Sequence, residues 1–168
     1  MNIHIVLHEP EIPQNTGNIA RTCAVAGCSL HLIHPLGFST DDKSLRHAGL
    51  DYWHLLDVHH YKDTPSFFAE HPDAALFFFT TKAPRIYTEV SYPEETWLMF
   101  GKESAGIPED ILFGHADHCV RIPMLPTLRS LNLSNAVAIA AYEVLRQHGF
   151  PDMQNTGQLR THRWEDAP

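Results

Sequence analysis

The strongest constraint on how this chain folds is a set of short apolar runs that do not alternate with polar residues. Six stand out: Ile3–Leu7, Leu30–Ile33, Tyr52–Val58, Ala75–Thr80, Trp97–Phe100 and Cys119–Ile122. Leu76-Phe77-Phe78-Phe79 and Trp97-Leu98-Met99-Phe100 have no polar side at all. A strand of that kind needs cover above and below, as a central strand of a parallel sheet has. Helical stretches lie between the runs, at Gly17–Ala26, Asp41–Ala48, Asp63–Glu70, Pro108–Phe113 and Leu133–Gln147. This alternation predicts an α/β fold with a mainly parallel sheet and helices on both faces. At 168 residues there is room for one such core,. Residues 1–150 read as a single domain and 151–168 as a polar C-terminal tail.

The last helix is the clearest element. Leu133, Ala136, Val137, Ala140, Ala141 and Val144 form a core stripe at helical spacing, while Ile139, Tyr142 and Leu145 make much of the other side apolar,. A helix apolar nearly all round is covered on two sides, and a second subunit or a wholly buried position satisfies that equally.

Several classes are disfavoured. No apolar run reaches the ~18 residues of a membrane span, and the chain opens directly into a strand, so it reads as soluble and cytoplasmic. Three cysteines at no disulfide-like spacing fit a reducing compartment,. Neither His115-x-x-His118-Cys119 nor Cys23-x4-Cys28 completes a ligand set, so no metal is assigned, and most of the 13 histidines, His59-His60 included, read as surface residues,. The net charge of −8 opposes nonspecific nucleic-acid binding,. Its distribution is uneven: Arg121 to Arg163 holds five basic residues against two acidic ones, so any RNA contact must be a local patch,.

Ligands of open parallel sheets bind beyond the carboxyl ends of the strands. That rule selects the loops Thr80–Pro84, Gly101–Pro108 and Pro123–Asn132, together with the turn Glu9 to Gly17. In Asn15-Thr16-Gly17-Asn18-Ile19-Ala20-Arg21, Asn15 or Thr16 reads as a helix cap, and Asn18 and Arg21 share one polar face suited to a phosphate or ribose. In Gly101-Lys102-Glu103-Ser104-Ala105-Gly106-Ile107-Pro108, Gly101 permits close backbone approach and Gly106 a positive-φ turn. This is neither the dinucleotide fingerprint nor a phosphate-binding P-loop. In Arg129-Ser130-Leu131-Asn132-Leu133-Ser134-Asn135, Asn132 reads as the cap of the last helix, and one cap leaves Arg129, Ser130, Ser134 and Asn135 available to a small ligand.

These three motifs, in this order and with Ile122-Pro123-Met124 between the second and third, resemble the SPOUT superfamily of RNA methyltransferases. Glu9-Pro10-Glu11-Ile12-Pro13 and Gly49-Leu50-Asp51-Tyr52 resemble its minimal TrmL-type members, tRNA (cytidine/uridine-34)-2′-O-methyltransferases. The resemblance spans residue 2 to about 151. It implies a C-terminal trefoil knot, which no composition or periodicity predicts, and a homodimer whose sites use both subunits. It implies S-adenosylmethionine as cofactor, leaving as S-adenosylhomocysteine. The cofactor residues would be Phe79, Thr80, Gly101, Glu103, Ile122, Met124, Ser130 and Leu131, with Asn135 supporting the knot loops. Arg21, with Asn18, falls at the ribose hydroxyl. Tyr142 is a further catalytic candidate, or equally an interface anchor, and Arg129 and Arg146 are candidates for RNA contact. The implied substrate is the wobble nucleotide of a tRNA anticodon loop, in leucine isoacceptors. Ala105 departs from the arginine often found in this neighbourhood. Alternatives are a same-fold enzyme for another tRNA position or rRNA, an inactive RNA-binding dimer, and an unrelated flavodoxin-like nucleotide module.

Overall fold

The structure is a computed structural model that describes residues 1–39 and 56–167. The expected helix Asp41–Ala48, the segment Gly49-Leu50-Asp51-Tyr52 and the start of the run Tyr52–Val58 lie outside the described residues.

Among the described residues seven strands form one sheet: β1 (Asn2–His8), β2 (Ser29–Ile33), β3 (Val58–Tyr61), β4 (Leu76–Phe79), β5 (Arg85–Ile86), β6 (Glu95–Phe100) and β7 (Cys119–Arg121), in the order β3-β2-β1-β6-β4-β7-β5. Every pairing is parallel. The α-helices among the described residues are α1 (Pro13–Ala26), α2 (Thr64–Glu70), α3 (Glu109–Phe113) and α4 (Leu133–Gln147).

The central strands are buried on both faces, as their unbroken apolar character requires. On one face Ile5, Leu7, Leu30, Leu98, Phe100 and Val120 pack with Ile19 and Cys23 of α1 and Val137, Ala140 and Val144 of α4. On the other, Val6, Ile33, Phe78, Trp97 and Met99 pack with Phe67 of α2 and Leu112 after the β6 loop. Alternation along β1 sends Ile3, Ile5 and Leu7 to the first layer and Val6 to the second.

The structure corrects several expectations. The third strand starts at Val58, where the apolar run ends, because His59 and His60 lie exposed on an edge strand that needs no apolar pattern. The two-residue β5 carries too little pattern to be seen in the sequence. Helix α1 begins at Pro13 rather than Gly17, with Pro at its start, so Asn15 and Thr16 are buried in its first turn and cap nothing,. Pro108 caps α3 instead of opening it. Leu145, expected on the outer side of α4, is 2% exposed and belongs to the core, whereas Ile139 and Tyr142 are exposed.

The histidines also divide differently. His59, His60, His115, His118 and His162 are exposed, but His8 and His31 are buried and His4, His34, His71 and His148 partly so. His31 Nδ1 lies 2.8 Å from the Tyr61 hydroxyl, which lies 2.8 Å from His71 Nε2. Ser29 Oγ lies 2.7 Å from His4 Nδ1 and 3.0 Å from His31 Nε2. One direction of donation from His71 through Tyr61, His31 and Ser29 to His4 satisfies every one of these bonds with all rings neutral. Paired polar rings are therefore accommodated against the indole of Trp97, on which His4 stacks at 3.9 Å. Cys23, Cys28 and Cys119 are buried free thiols, and burial pushes Cys28 up to about 12. Beyond Met153, which packs on the core, residues 154–167 are exposed.

Candidate functional site

The sheet order reverses beside β1, and a cavity of about 570 Å³ opens at that crevice, beyond the carboxyl ends of β4, β6 and β7,. This is an ordinary size for a small-molecule site. Phe79 and Phe100, stacked at 4.8 Å, supply an aromatic wall, with Ile122 and Met124 adding apolar surface. Thr80, Gly101, Glu103, Ser130 and Leu131 complete the expected lining, and Arg129 stands among them. Eight of the nine expected cofactor residues therefore converge on one cavity, although they come from four separate segments.

Gly101 explains why the second motif needs glycine. Its φ is +93°, and a Cβ there would sit 2.6 Å from the carbonyl oxygen of His8. Loop 101–106 thus lies directly on the end of β1, and Gly106 turns it back at φ +73°.

Glu103 does more than line the wall. Its carboxylate accepts from the backbone N–H of Glu11 at 2.9 Å and of Ile12 at 3.3 Å, and from Asn15 Nδ2 at 3.1 Å. Asn15 Oδ1 in turn accepts from Asn132 Nδ2 at 2.9 Å. Asn132 Oδ1 caps α4, accepting from the N–H groups of Ser134 and Asn135 and from the Ser134 hydroxyl. A continuous chain of hydrogen bonds joins the β6 loop, the start of α1 and the start of α4. Two outer latches run parallel to it. Glu11 accepts from the Ser104 N–H and hydroxyl, both at 2.8 Å, which holds its carboxyl below the usual carboxylate range. Lys102 Nζ donates to Glu9 Oε2 at 2.7 Å. Asn132 as the cap was legible in the sequence. The relay through Asn15 was not, because a buried amide one turn into a helix looks like a cap when the helix start is placed too late.

Asn18, Arg21 and Tyr142 line a second hollow between α1 and α4, with Thr22, Val25, Ser134, Asn135 and Ala138. Asn135, expected beside the cofactor, is exposed and faces this hollow because the helix turns it away from the first cavity. Arg146 is engaged elsewhere: its Nε and Nη2 donate to the two oxygens of the buried Glu143, each at 2.8 Å. Its guanidinium holds that carboxyl below the usual range. Tyr142 thus shares its hollow with Arg21, while Arg146, the candidate for RNA contact, is paired with Glu143. Among the described residues no group of three or more His, Cys, Asp or Glu side chains could hold a metal ion. No described helix is long and apolar enough to cross a membrane.

Residues 2–142 match the family model described as the SpoU rRNA Methylase family. The chain belongs to that family. Similar proteins include the tRNA (cytidine(34)-2′-O)-methyltransferases of Escherichia coli strain K12, 49% identical over 150 residues, and of Yersinia pestis, 50% identical over 155 residues. Both alignments cover 89% of this chain and 96% of the relative. A solved structure described as "Structural insights into the 2-OH methylation of C/U34 on tRNA" superposes with a TM-score of 0.84 at 42% identity, covering 88% of this SpoU-family chain and 97% of the other. The parallel sheet of this SpoU-family protein thus agrees with the family that its three motifs resemble.

Proposed function

We propose that the protein transfers a methyl group from S-adenosylmethionine to the ribose 2′-hydroxyl of nucleotide 34, cytidine or modified uridine, in the tRNA anticodon loop. The observation that carries this reading is the 49% identity to the Escherichia coli enzyme across 96% of its length. The cavity fits the cofactor: an aromatic wall of Phe79 and Phe100, apolar Ile122 and Met124, and the hydroxyls of Thr80 and Ser130 suit a nucleoside carrying a polar amino-acid arm,. S-adenosylmethionine supplies an electrophilic methyl group; the chain's task is to align the attacking oxygen and to manage its proton and charge.

Arg21 manages the charge, and the hydroxyl proton passes to solvent water. A guanidinium stays protonated in proteins, so Arg21 stabilises the developing alkoxide and an adjacent phosphate as a cation. Within one chain Arg21 faces the α1–α4 hollow rather than the cofactor cavity. A homodimer brings the two together, with Arg21, Asn18 and Tyr142 of one subunit completing the cavity of the other. The exposed Val25, Ile139 and Tyr142 give α1 and α4 apolar surface for that contact. On the same reading the chain after β7 is threaded as a trefoil knot, leucine isoacceptors are the substrates, and the protein works in the cytoplasm.

Incubation with total tRNA and methyl-labelled cofactor tests the reading. The parent labels tRNA. Arg21→Ala binds the cofactor with parental affinity and incorporates no label. Parental incorporation by Arg21→Ala overturns its assigned role.

A further inference from the structure

We propose that Lys82 is a phosphate contact for the substrate tRNA, and that Glu109 holds it in an exchangeable ion pair until RNA docks. This role presupposes that the protein acts on tRNA, and it assigns two residues to that recognition surface.

The chain carries a net charge of −8, so RNA has to be met by a local group of cations,. Among the described residues three stand around the cavity: Lys82, Lys102 and Arg129. The two lysines are held in different ways. Lys102 pairs with Glu9 at 2.7 Å, and the two side chains are only 31% and 25% exposed. That sheltered pair ties loop 101–106 to the turn after β1. Lys82 pairs with Glu109 at the same 2.7 Å, but the side chains are 49% and 76% exposed. Lys82 comes from the loop after β4 and Glu109 is the first residue of α3, so the pair joins two loops that follow neighbouring strands.

An exposed pair of long side chains is screened by solvent and loses rotamer freedom, so it holds its partners weakly. A phosphate oxygen offers Lys82 the same charge-assisted bond, and a tRNA presents many phosphates at once. Glu109 therefore competes for a single cation. RNA that places a phosphate at Lys82 displaces the carboxylate; RNA that does not is met by the negative charge of Glu109 close to the cavity.

The test is tRNA affinity, measured by filter binding across a salt series, for the parent, Lys82→Gln, Glu109→Gln, the double variant and Lys82→Arg. Lys82→Gln is expected to lower affinity roughly fivefold near 0.1 M salt and to reduce the slope of log K against log salt by about one. Glu109→Gln is expected to raise affinity roughly two- to threefold, as release of one screened pair allows. The double variant then binds like Lys82→Gln, and Lys82→Arg, which keeps the charge, binds like the parent. Each variant melts with the parent, since neither side chain is buried. A Lys82→Gln protein with parental affinity and slope overturns the inference. So does a gain from Glu109→Gln that persists without Lys82, because a diffuse loss of negative charge would give that. Those failures leave the methyltransferase reading intact. A parent that binds no tRNA at any salt overturns both.

Discussion

Asn15→Ala cuts the hydrogen-bond chain that joins three loops at the cavity. Asn15 is 6% exposed, and its side chain donates to Glu103 at 3.1 Å and accepts from Asn132 at 2.9 Å. The first bond is charge-assisted, a class that contributes about 1.5–3 kcal/mol, and the second is a neutral amide pair contributing about 0.5–1.5 kcal/mol. Glu103 keeps its two backbone donors and Asn132 keeps its capping bonds, so the loss stays local. The sum is about 2–4 kcal/mol, which for a domain of this size lowers the melting temperature by roughly 5–15 °C. Asn15→Asp sharpens the test. It preserves shape but sets a second carboxylate against Glu103, so at pH 7.5 it must melt below Asn15→Ala and recover toward it as the pH falls and one carboxyl takes a proton. Thermal unfolding of the three proteins at pH 7.5 and 5.5 decides the matter. If Asn15→Ala melts within a degree or two of the parent, or Asn15→Asp is the more stable variant at pH 7.5, the relay does not hold the loops together.

Gly101→Ala places a methyl group 2.6 Å from the His8 carbonyl oxygen at a φ of +93°, where the backbone cannot give way cheaply. A cost of about 3 kcal/mol or more is expected, and cofactor titration should show affinity reduced at least tenfold; parental affinity would disprove the close approach. Stability should also fall with acidification. Burial, reinforced by His59, His4 and His71 and opposed by Asp57, pushes His31 down to about 3, and burial lowers His4 and His71 as well. The unfolded chain takes up these protons near pH 6.5 while the folded chain does not. The contribution is therefore intact above pH 6.5 and is lost between there and about 3, His31 alone accounting for up to about 2 kcal/mol by pH 5. Urea midpoints at pH 7.5 and 5 should differ accordingly and differ much less in His31→Gln; a parent whose midpoint is flat contradicts the buried neutral cluster.

The sheet was legible because its central strands, Leu76-Phe77-Phe78-Phe79 above all, have no polar side to expose. Edge strands are not so constrained. β3 carries His59 and His60 outward and β5 is two residues long, so neither left a pattern. The cavity was legible because glycines and polar residues cluster at strand ends, where a core has no use for them. What escaped was partnership across the chain. Nothing in a local window shows that Glu103, 88 residues from Asn15, ties the start of α1 to the β6 loop. Nor does it show that His31 finds Tyr61, 30 residues on, as a partner inside the second layer; the Glu143–Arg146 pair, three apart on one helix, was by contrast open to the spacing rule,. Asn135 was misplaced for a related reason: its position in the first turn of α4 is plain, but the direction it faces depends on α1.

The most direct measurement is mass spectrometry of nucleosides and oligonucleotides from tRNA treated with the protein and isotopically labelled S-adenosylmethionine. One labelled methyl group on the ribose of nucleotide 34 is the predicted product. Label on a base, at another nucleotide, or nowhere would contradict it.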